Sequence, residues 1–223
     1  MQRATRKPQK AQRRQEMMTA AWQLFQYQPY EAVNMNDVAQ QVGVAKGTLY
    51  LYFETKESLF LAILHEQFEQ WFGVVDERLV AHPAPISTAA LADLLAVALA
   101  ERPSLTRLFA LLHLILEQNS QYGAVLAFKR MLRERVGGTA VLIEQAMPFM
   151  AAGQGATFLL NVYALLLGIQ QLANPAPTAE AVLAAEPGME IFRIPFQPTL
   201  AAVILTLLEG MKAQKDGGLE TRD

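Results

Sequence analysis

The sequence predicts an all-α protein of about nine helices. Two observations lead to this fold class. Beyond residue 14, apolar residues recur at three- and four-residue spacing, the period of an amphipathic helix, and no segment sustains the alternation typical of a strand. With 223 residues, of which 52% are hydrophobic, the chain is also long enough to bury a substantial core. We expect a small first domain and a larger second one; their predicted bounds are 13–56 and 57–215, with tails at 1–12 and 216–223.

Three helices are predicted in the first domain. The first covers residues 13–28 and is stopped by Pro29, because proline cannot continue a helix. Asn34 is a typical N-cap for a short second helix that ends at Gly43. A third short helix fits residues 45–52, so the domain is expected to be compact and fully helical.

A long fourth helix opens at Thr55 or Lys56 and closes before the proline-containing connector 82–85. Residues 174–197 are rich in proline and are predicted to form a loop. The other helices of the second domain are expected at residues 87–101, 104–119, 122–147, 153–173 and 199–214.

Charge is divided unevenly along the chain. Residues 1–56 carry a net charge of +4, whereas the rest of the chain carries −6. A basic first domain joined to an acidic body indicates that only the first domain contacts a polyanion. On charge alone, a solvated basic tail is an equally good explanation.

Composition excludes several chemistries. The chain has no cysteine and only three scattered histidines, so disulfides, thiolate metal sites and cysteine nucleophiles are excluded and little remains for a zinc site. We expect no cofactor.

The N-terminus lacks the apolar segment of a secretory signal, which favours a cytoplasmic protein. Residues 147–179 carry no charge, but polar and glycine residues interrupt them, so we predict a buried helix or subunit interface and no membrane span.

Residues 38–53 carry the pattern of a helix-turn-helix. Two short helices meet at a turn that contains Gly43, and Ala39 is small enough for the second helix to cross closely. Val44 and Leu49 are expected to fill the angle between them. The second helix then presents donors suited to phosphates or base edges. These donors are Lys46, Thr48, Tyr50 and Tyr52.

This stretch resembles the tetracycline-repressor (TetR) family over the first 60 or so residues. The resemblance is carried by a pattern over the whole stretch: Ala20-Ala21-x-x-Leu24-Phe25, Tyr30-Glu31-Ala32, Val38-Ala39, Val42-Gly43-Val44-Ala45-Lys46-Gly47-Thr48-Leu49-Tyr50-x-Tyr52-Phe53 and Lys56-Glu57-x-Leu59-Phe60. It implies base-facing positions at Ala45, Lys46, Gly47, Tyr50 and Leu51, and phosphate-binding positions at Thr48, Tyr52, Lys56 and Asn36. The alternative is that the tyrosines are packing aromatics and Lys46 is a solvated charge. The basic residues before Gln15 either follow phosphates as an arm or are simply solvated.

A three-helix reader of this size contacts one short half-site of double-stranded DNA, so specific binding to a palindromic operator calls for two copies. The resemblance implies that the last two long helices form this homodimer. The candidate dimer residues are Phe158, Val162, Leu165, Leu166 and Ile169 on one helix and Val203, Thr206, Leu207 and Gly210 on the other.

The resemblance also implies a small-molecule inducer bound by the middle helices. Polar groups on otherwise apolar helices are the candidates, above all the His113 and Glu117 pair at i and i+4. The candidate pocket residues are Phe109, Leu112, His113, Leu116, Glu117, Phe128, Met131 and Asn161. Each has a plainer explanation: His113 as a core histidine, Glu117 as an ion-pair partner of Arg107 or Lys129, and the apolar residues as core.

These features together predict a DNA-binding transcriptional repressor that a ligand releases from its operator. The main alternative is an all-α carrier or enzyme whose helix-turn-helix is vestigial, but the sequence holds no pattern of catalytic residues and we expect no enzyme activity. A nonspecific nucleoid-type DNA binder is a second alternative. The acidic body lacks the basic character expected of such a protein.

Overall fold

The computed structural model describes the backbone of residues 2–82 and 85–217, and the side chains of these ranges from Pro8 onward. Within them the chain forms ten α-helices and no strand, which confirms the all-α prediction. The predicted connector residues Pro83 and Ala84 and the predicted tail residues 218–223 lie outside the described residues. The helices are α1 Gln2–Tyr27, α2 Met35–Gln41, α3 Lys46–Tyr50, α4 Lys56–Ala81, α5 Thr88–Ala100, α6 Pro103–Leu111, α7 Tyr122–Ala146, α8 Gln154–Ala173, α9 Pro177–Ala185 and α10 Phe196–Asp216.

The first helix is longer than the sequence pattern indicated. α1 begins at Gln2, well before the expected start at residue 13. The added segment has no apolar stripe, and for that reason the hydrophobic pattern predicts a tail there. It is nevertheless rich in alanine, glutamine, lysine and arginine, whose side chains lose little freedom in a helix. Intrinsic propensity favours a helix in this segment, although Pro8 lies inside it and opposes it.

A second departure lies in the region predicted to be a loop, residues 174–197. It contains α9 and a 3-10 turn, Met189–Phe192. Pro177 is the first residue of α9, where a missing N–H costs nothing, and alanine, glutamate and leucine follow it. Arg193 is ion-paired to Glu180 at 2.8 Å and ties the turn to the helix. The prolines of this region thus start helices as well as ending them.

The chain divides into two compact units, Met1–Phe68 with Leu111–Met131, and Glu69–Ala110 with Leu132–Asp223. A π-helical turn, Leu112–Leu116, lies at the start of the second segment of the first unit, where the sequence predicted ordinary helix. Each unit contains one of the two tryptophans, Trp22 in the first and Trp71 in the second.

Aromatic rings build the core of the first unit. Phe25 of α1 and Tyr30 both make edge-on contacts with the ring of Phe60 on α4, at centroid distances of 5.4 and 5.0 Å. Phe25, Phe60 and Leu49 of α3 are almost completely buried. Burial of these large apolar side chains is the main source of stability for the platform that carries α3.

In the second unit, α10 packs against α5 and α8. α8 is also the one helix, among the residues that the structure describes, that is long and apolar enough to cross a membrane by length and composition. The core helix of a soluble protein passes the same test, and 33% of this stretch is buried inside the chain. The helix is therefore weak evidence for a membrane span.

The N-terminus of α8 is fixed against α7 by a close crossing. The Glu144 carboxylate on α7 accepts hydrogen bonds from the N–H groups of Gly153 and Gly155, at 2.8 and 2.9 Å. A Cβ atom on Gly155 would lie 2.5 Å from the carbonyl oxygen of Ala140, closer than any real contact. Only glycine therefore fits at residue 155 without moving a helix backbone.

Gly155→Ala is expected to lower the free energy of unfolding by about 1–3 kcal/mol, because the new methyl group forces α7 and α8 apart. Gly137→Ala on α7 is the matched control. No atom lies within 4 Å of a Cβ built at residue 137, so alanine there should stabilise the helix by up to about 1 kcal/mol. Urea unfolding followed by circular dichroism measures both; equal stability of the two proteins would contradict the close crossing.

Candidate nucleic-acid interface

The helix-turn-helix begins with the cap that the sequence predicted. The Asn34 side-chain oxygen accepts hydrogen bonds from the N–H groups of Asn36 and Asp37, at 2.9 and 3.0 Å. These bonds satisfy two of the backbone donors that an α-helix leaves free in its first turn. α2 therefore starts at a defined residue, Met35.

The turn between α2 and α3 depends on one glycine. Gly43 has a φ of +67°, in the left-handed region that a side chain disfavours. The next residue, Val44, donates its N–H to the carbonyl of Ala39 at 2.9 Å, which closes the turn back onto α2. The sequence Val42-Gly43-Val44 thus fixes the direction in which α3 leaves the turn.

α3 has a buried side and an exposed side. Leu49 is fully buried and α3 packs on α2, where Val38 and Ala39 are also buried. On the other side Tyr50 is 39% and Leu51 80% exposed, although both are large apolar residues. Two such residues beside a lysine on an otherwise solvent-facing helix are typical of a surface that contacts another molecule.

All five positions expected to face bases are exposed: Ala45, Lys46, Gly47, Tyr50 and Leu51. Of the four positions expected to bind phosphates, Asn36 is exposed, and Thr48, Tyr52 and Lys56 are half-buried. The ammonium group of Lys46 lies 5.9 Å from the centre of the Tyr50 ring, so these two side chains share one patch of surface.

Lys56 has an internal partner that the sequence did not indicate. Its ammonium donates a hydrogen bond to the backbone carbonyl of Tyr30 and lies 3.9 Å from the centre of the Tyr30 ring. The Tyr30 hydroxyl in turn donates to the Glu57 carboxylate at 2.9 Å. This cluster fastens the start of α4 to the 3-10 turn before α2, so Lys56 has a structural role beside the predicted phosphate contact.

Burial sets the ionisation of this cluster. It lowers the pKa of Lys56 from its ordinary value, against the opposite effect of the nearby carboxylates of Glu57 and Glu31. Burial, together with the hydrogen bond to Glu57, raises the pKa of Tyr30. The tyrosine hydroxyl therefore keeps its proton at neutral pH and can donate it in the hydrogen bond to Glu57.

Two basic side chains of α1 reach the helix-turn-helix. The Lys10 ammonium lies 5.8 Å from the centre of the Tyr52 ring, and the Arg14 guanidinium lies 4.8 Å from that of Phe53. Burial lowers the pKa of Arg14, partly offset by the carboxylate of Glu66. Arg14 is thus part of the packing, whereas Lys10 is exposed beside a residue expected to bind phosphate. Lys10 and Arg14 are four residues apart, so on a helix they lie on the same face. This spacing went unused, because the segment around Lys10 lacks an apolar stripe and was predicted to be a tail.

The candidate pocket residues fall in both units: Phe109 and Asn161 in the second, and Leu112, His113, Leu116, Glu117, Phe128 and Met131 in the first. The five apolar members are buried. Asn161 is exposed on α8, so it does not face the interior as expected. Its place in the helix puts it beside Leu160, which is also exposed.

The predicted His113 and Glu117 pair is present, but Glu117 has a second partner. Its carboxylate lies 3.0 Å from Nδ1 of His113 and 2.6 Å from the ammonium of Lys129. Burial alone would raise the pKa of Glu117; the bonds from Lys129 and His113 outweigh it and hold the pKa below its ordinary value. This is the ion pair with Lys129 that the sequence left open as the plainer explanation.

The candidate dimer residues on α8 need correction. Phe158, Val162, Leu166 and Ile169 are buried inside the chain, so they have no surface to offer a second copy. Leu165, Val203 and Leu207 are half-buried, and Thr206 and Gly210 are exposed. The sequence prediction placed the wrong face of α8 outward, because apolar residues lie on both faces of this helix. The exposed face carries Leu160, Ala164 and Gly168 together with polar Thr157, Asn161 and Gln171.

Family models match nearly the whole chain. Residues 17–63 match the model described as "Bacterial regulatory proteins, tetR family", and residues 65–215 match a "Tetracyclin repressor-like, C-terminal domain". The chain belongs to the TetR family. The first of these models spans the helix-turn-helix described above. Among the described residues, no group of three or more histidine, aspartate or glutamate side chains is placed to hold a metal ion.

Curated relatives within the TetR family are similar over about a third of this chain. The "HTH-type transcriptional repressor KstR" of Mycolicibacterium smegmatis is 35% identical over 74 residues, which are 33% of this chain and 36% of that protein. The matched region therefore spans about a third of the length of such curated relatives.

Solved structures are similar over most of the chain. A TetR-family regulator of Mesorhizobium loti is 18% identical, covers 91% of this chain and 96% of that one, and has a TM-score of 0.56. The regulator FadR of Bacillus subtilis, solved in complex with stearoyl-CoA, is 17% identical, covers 87% and 96%, and has a TM-score of 0.50. At these identities the likeness establishes the fold.

Proposed function

We propose that this TetR-family chain is a DNA-binding transcriptional repressor, with no enzyme activity, that acts on a palindromic operator in the cytoplasm. The observation that carries the proposal is the exposed side of α3. Lys46, Tyr50 and Leu51 project from a helix whose other side is anchored by buried Leu49. Such a helix fits the major groove of B-DNA, where lysine and tyrosine donors reach base edges.

The phosphate contacts are proposed to flank this helix. Thr48 and Tyr52 lie on α3 or directly after it, and Asn36 lies exposed in the first turn of α2. Lys10 adds a positive charge next to Tyr52. We therefore assign the DNA-binding domain to residues up to 56, and ligand binding and dimerisation to residues 57–215.

A homodimer is part of the proposal because one α3 contacts one half-site. The exposed faces of α8 and α10 are the surface best suited to pairing. They carry small or apolar side chains at helical spacing, and the described part of α8 holds no charged residue. This surface comprises Leu160, Ala164 and Gly168 on α8 and Ala202, Thr206 and Gly210 on α10.

Release of the repressor from its operator by a small molecule is proposed on the basis of the family. The solved FadR of Bacillus subtilis holds stearoyl-CoA, so a member of this fold accommodates an acyl ligand. In the present chain the buried residues near the π-helical turn, Leu112, Leu116 and Phe128, remain the candidate apolar lining, with His113 as a polar group at its edge. The ligand would act by changing the affinity of the dimer for two half-sites at fixed spacing.

Operator binding tests this proposal directly. The full chain is expected to shift and footprint a palindromic site in DNA upstream of its own gene, with half-sites about one helical turn apart. The affinity should fall steeply with salt, because phosphate contacts release counterions. Binding that is equally strong on unrelated DNA of the same length would contradict a sequence-specific regulator.

Lys10→Ala is expected to weaken binding to the operator and to unrelated DNA by the same factor, because a phosphate contact carries no sequence information. Each half-site loses one positive charge. The magnitude of the slope of log affinity against log salt concentration should therefore fall by about 1 for each half-site that is bound. Fluorescence anisotropy at four salt concentrations measures this. Lys212→Ala on α10 removes the same charge from the second unit and should leave the slope unchanged; an unchanged slope for Lys10→Ala would mean that this lysine is simply solvated.

A further inference from the structure

A cavity of about 270 Å³ lies wholly within the second unit, apart from the residues of the candidate inducer pocket. It is bordered by the last turns of α5 and α8 and by the first turns of α6 and α10, and it is partly open to solvent. Two helices thus begin at its wall. The N-terminal end of a helix carries partial positive charge, so both helix starts favour a negative charge in the cavity. At the start of α6, Pro103 has no N–H and the N–H of Thr106 is bonded to the carbonyl of Arg102, so free N–H donors are found only at the start of α10 among the lining residues of these two helix starts.

The start of α10 offers hydrogen-bond donors without partners. No side chain caps this helix, and its cap position is Pro195. Within the described part of the chain, the N–H groups of Phe196 and Gln197 have no hydrogen-bond partner, and both residues line the cavity. Water or a ligand must therefore satisfy these two donors.

Gln170 is the second, independent indication of a ligand. This residue of α8 is only 6% exposed and lines the cavity. Its side-chain amide makes no hydrogen bond to any other described residue, although a buried polar group normally has a partner. The Thr106 hydroxyl, which also lines the cavity, is already bonded to the carbonyl of Pro103 at 2.9 Å. Among the lining residues, the amide of Gln170 is therefore the buried polar group without a described partner, whereas Gln197 is exposed to solvent.

Charge and polarity narrow the class of ligand. The guanidinium of Arg107, a lining residue, adds a full positive charge to the two helix ends. Of the remaining wall, Leu99, Ala100, Pro103 and Phe196 are apolar, whereas Asn174 and Gln197 are polar and exposed to solvent. The volume is somewhat below the roughly 300 Å³ at which sites for drug-sized ligands begin. An anion with a short hydrocarbon part satisfies all of these conditions.

We propose that this cavity binds a small aliphatic carboxylic acid, with its carboxylate at Arg107, Gln170 and the start of α10 and its hydrocarbon part on the apolar wall. Binding itself is independent of the DNA interface. A role for the acid as the regulatory ligand would rest on the function proposed above.

Calorimetric titration of the full chain with hexanoate, without DNA and in a buffer free of carboxylates, tests the proposal. We expect saturable binding at one site per chain. Hexanamide, which has the same size but no charge, should bind at least tenfold more weakly, because the cavity selects an anion. Inorganic phosphate is the second comparison, and it should also bind at least tenfold more weakly than hexanoate, because it makes no use of the apolar wall.

Two variants locate the site. Gln170→Glu places a negative charge in the cavity and Arg107→Gln removes the positive one, and each should weaken hexanoate binding at least tenfold. Arg133→Gln, an exposed arginine of α7, removes the same charge elsewhere in the second unit and should have no effect. Thermal melts establish that each variant is folded. Arg107 is only half-buried, so Arg107→Gln keeps the test valid if Gln170→Glu fails to fold.

Several results would overturn the proposal. They are an absence of saturable hexanoate binding, equal affinity for hexanamide, tighter binding of phosphate, or unchanged binding in the Arg107→Gln protein. None of them would affect operator binding, which is measured separately on DNA. Failure of this site and failure of the proposed regulatory function are thus distinguishable.

Discussion

Replacing both Lys46 and Tyr50 with alanine is expected to weaken operator binding by about 100-fold or more while leaving the fold intact. A specific base contact contributes about 1–3 kcal/mol, and in a dimer each substitution acts in both half-sites. Neither side chain contributes to the core, because Lys46 is exposed and Tyr50 is 39% exposed. Titration of labelled operator measures the change in affinity, and circular dichroism tests the fold.

Tyr27→Ala is the matched control for this double variant. Tyr27 ends α1 in the same unit and is 89% exposed, but it lies outside the helix-turn-helix. Its removal should change operator affinity by less than about twofold, as expected for a surface side chain without partners. If the Lys46 and Tyr50 double variant bound the operator as tightly as Tyr27→Ala, α3 would not be the recognition helix.

Gly168→Arg is expected to convert the proposed dimer into a folded monomer. No atom lies within 4 Å of a Cβ built at residue 168, so the arginine is accommodated within one chain. In a dimer it would place a charge in the middle of the small, apolar faces of α8 and α10, where a buried unpaired charge is strongly unfavourable. Operator affinity should then fall by about 100-fold or more, because a monomer binds one half-site and loses the gain in affinity that a dimer obtains by binding both. Light scattering gives the mass.

Gly137→Arg supplies the control for Gly168→Arg. Residue 137 is an exposed glycine of α7 with no neighbour within 4 Å of its Cβ position, so the same charge is added at a helix surface away from α8 and α10. This protein should stay dimeric and bind the operator normally. A dimeric Gly168→Arg protein would move the interface to another face.

The helix-turn-helix could be predicted almost residue by residue because its signals are local. Asn34 caps α2 through its own side chain, and Gly43 has the positive φ that a short turn between two helices requires. The buried positions Ala39 and Leu49 follow from the spacing of two short amphipathic helices. Each of these effects acts over a few residues, so the sequence is sufficient to reveal it.

The orientation of α8 could not be predicted in the same way. A hydrophobic period identifies the inner face of a helix only when the other face is polar. On α8, buried Phe158 and Leu166 alternate with exposed Leu160 and Ala164, so apolar residues occur on both faces and do not by themselves mark the inner one. Which face packs on its own chain depends on the neighbouring helices, and that information lies far away along the sequence.

The role of Lys56 shows a similar limit. A lysine at the start of a helix next to a recognition helix is a reasonable phosphate ligand. Its bond to the carbonyl of Tyr30, 26 residues earlier, arises only when the 3-10 turn packs against α4. Contacts between residues that are distant in sequence carry no local pattern, and the cavity at Gln170 was missed for the same reason.

The distribution of the two tryptophans provides an optical signal for each unit. Trp22 lies 5.8 Å from the Phe25 ring, and Trp71 lies 4.8 Å from the Phe72 ring. Emission from a Trp71→Phe protein therefore reports only on the unit that carries α3, and emission from a Trp22→Phe protein only on the other. Denaturant titrations of these two proteins would show whether the whole chain unfolds in one cooperative step or whether one unit unfolds at a lower denaturant concentration than the other.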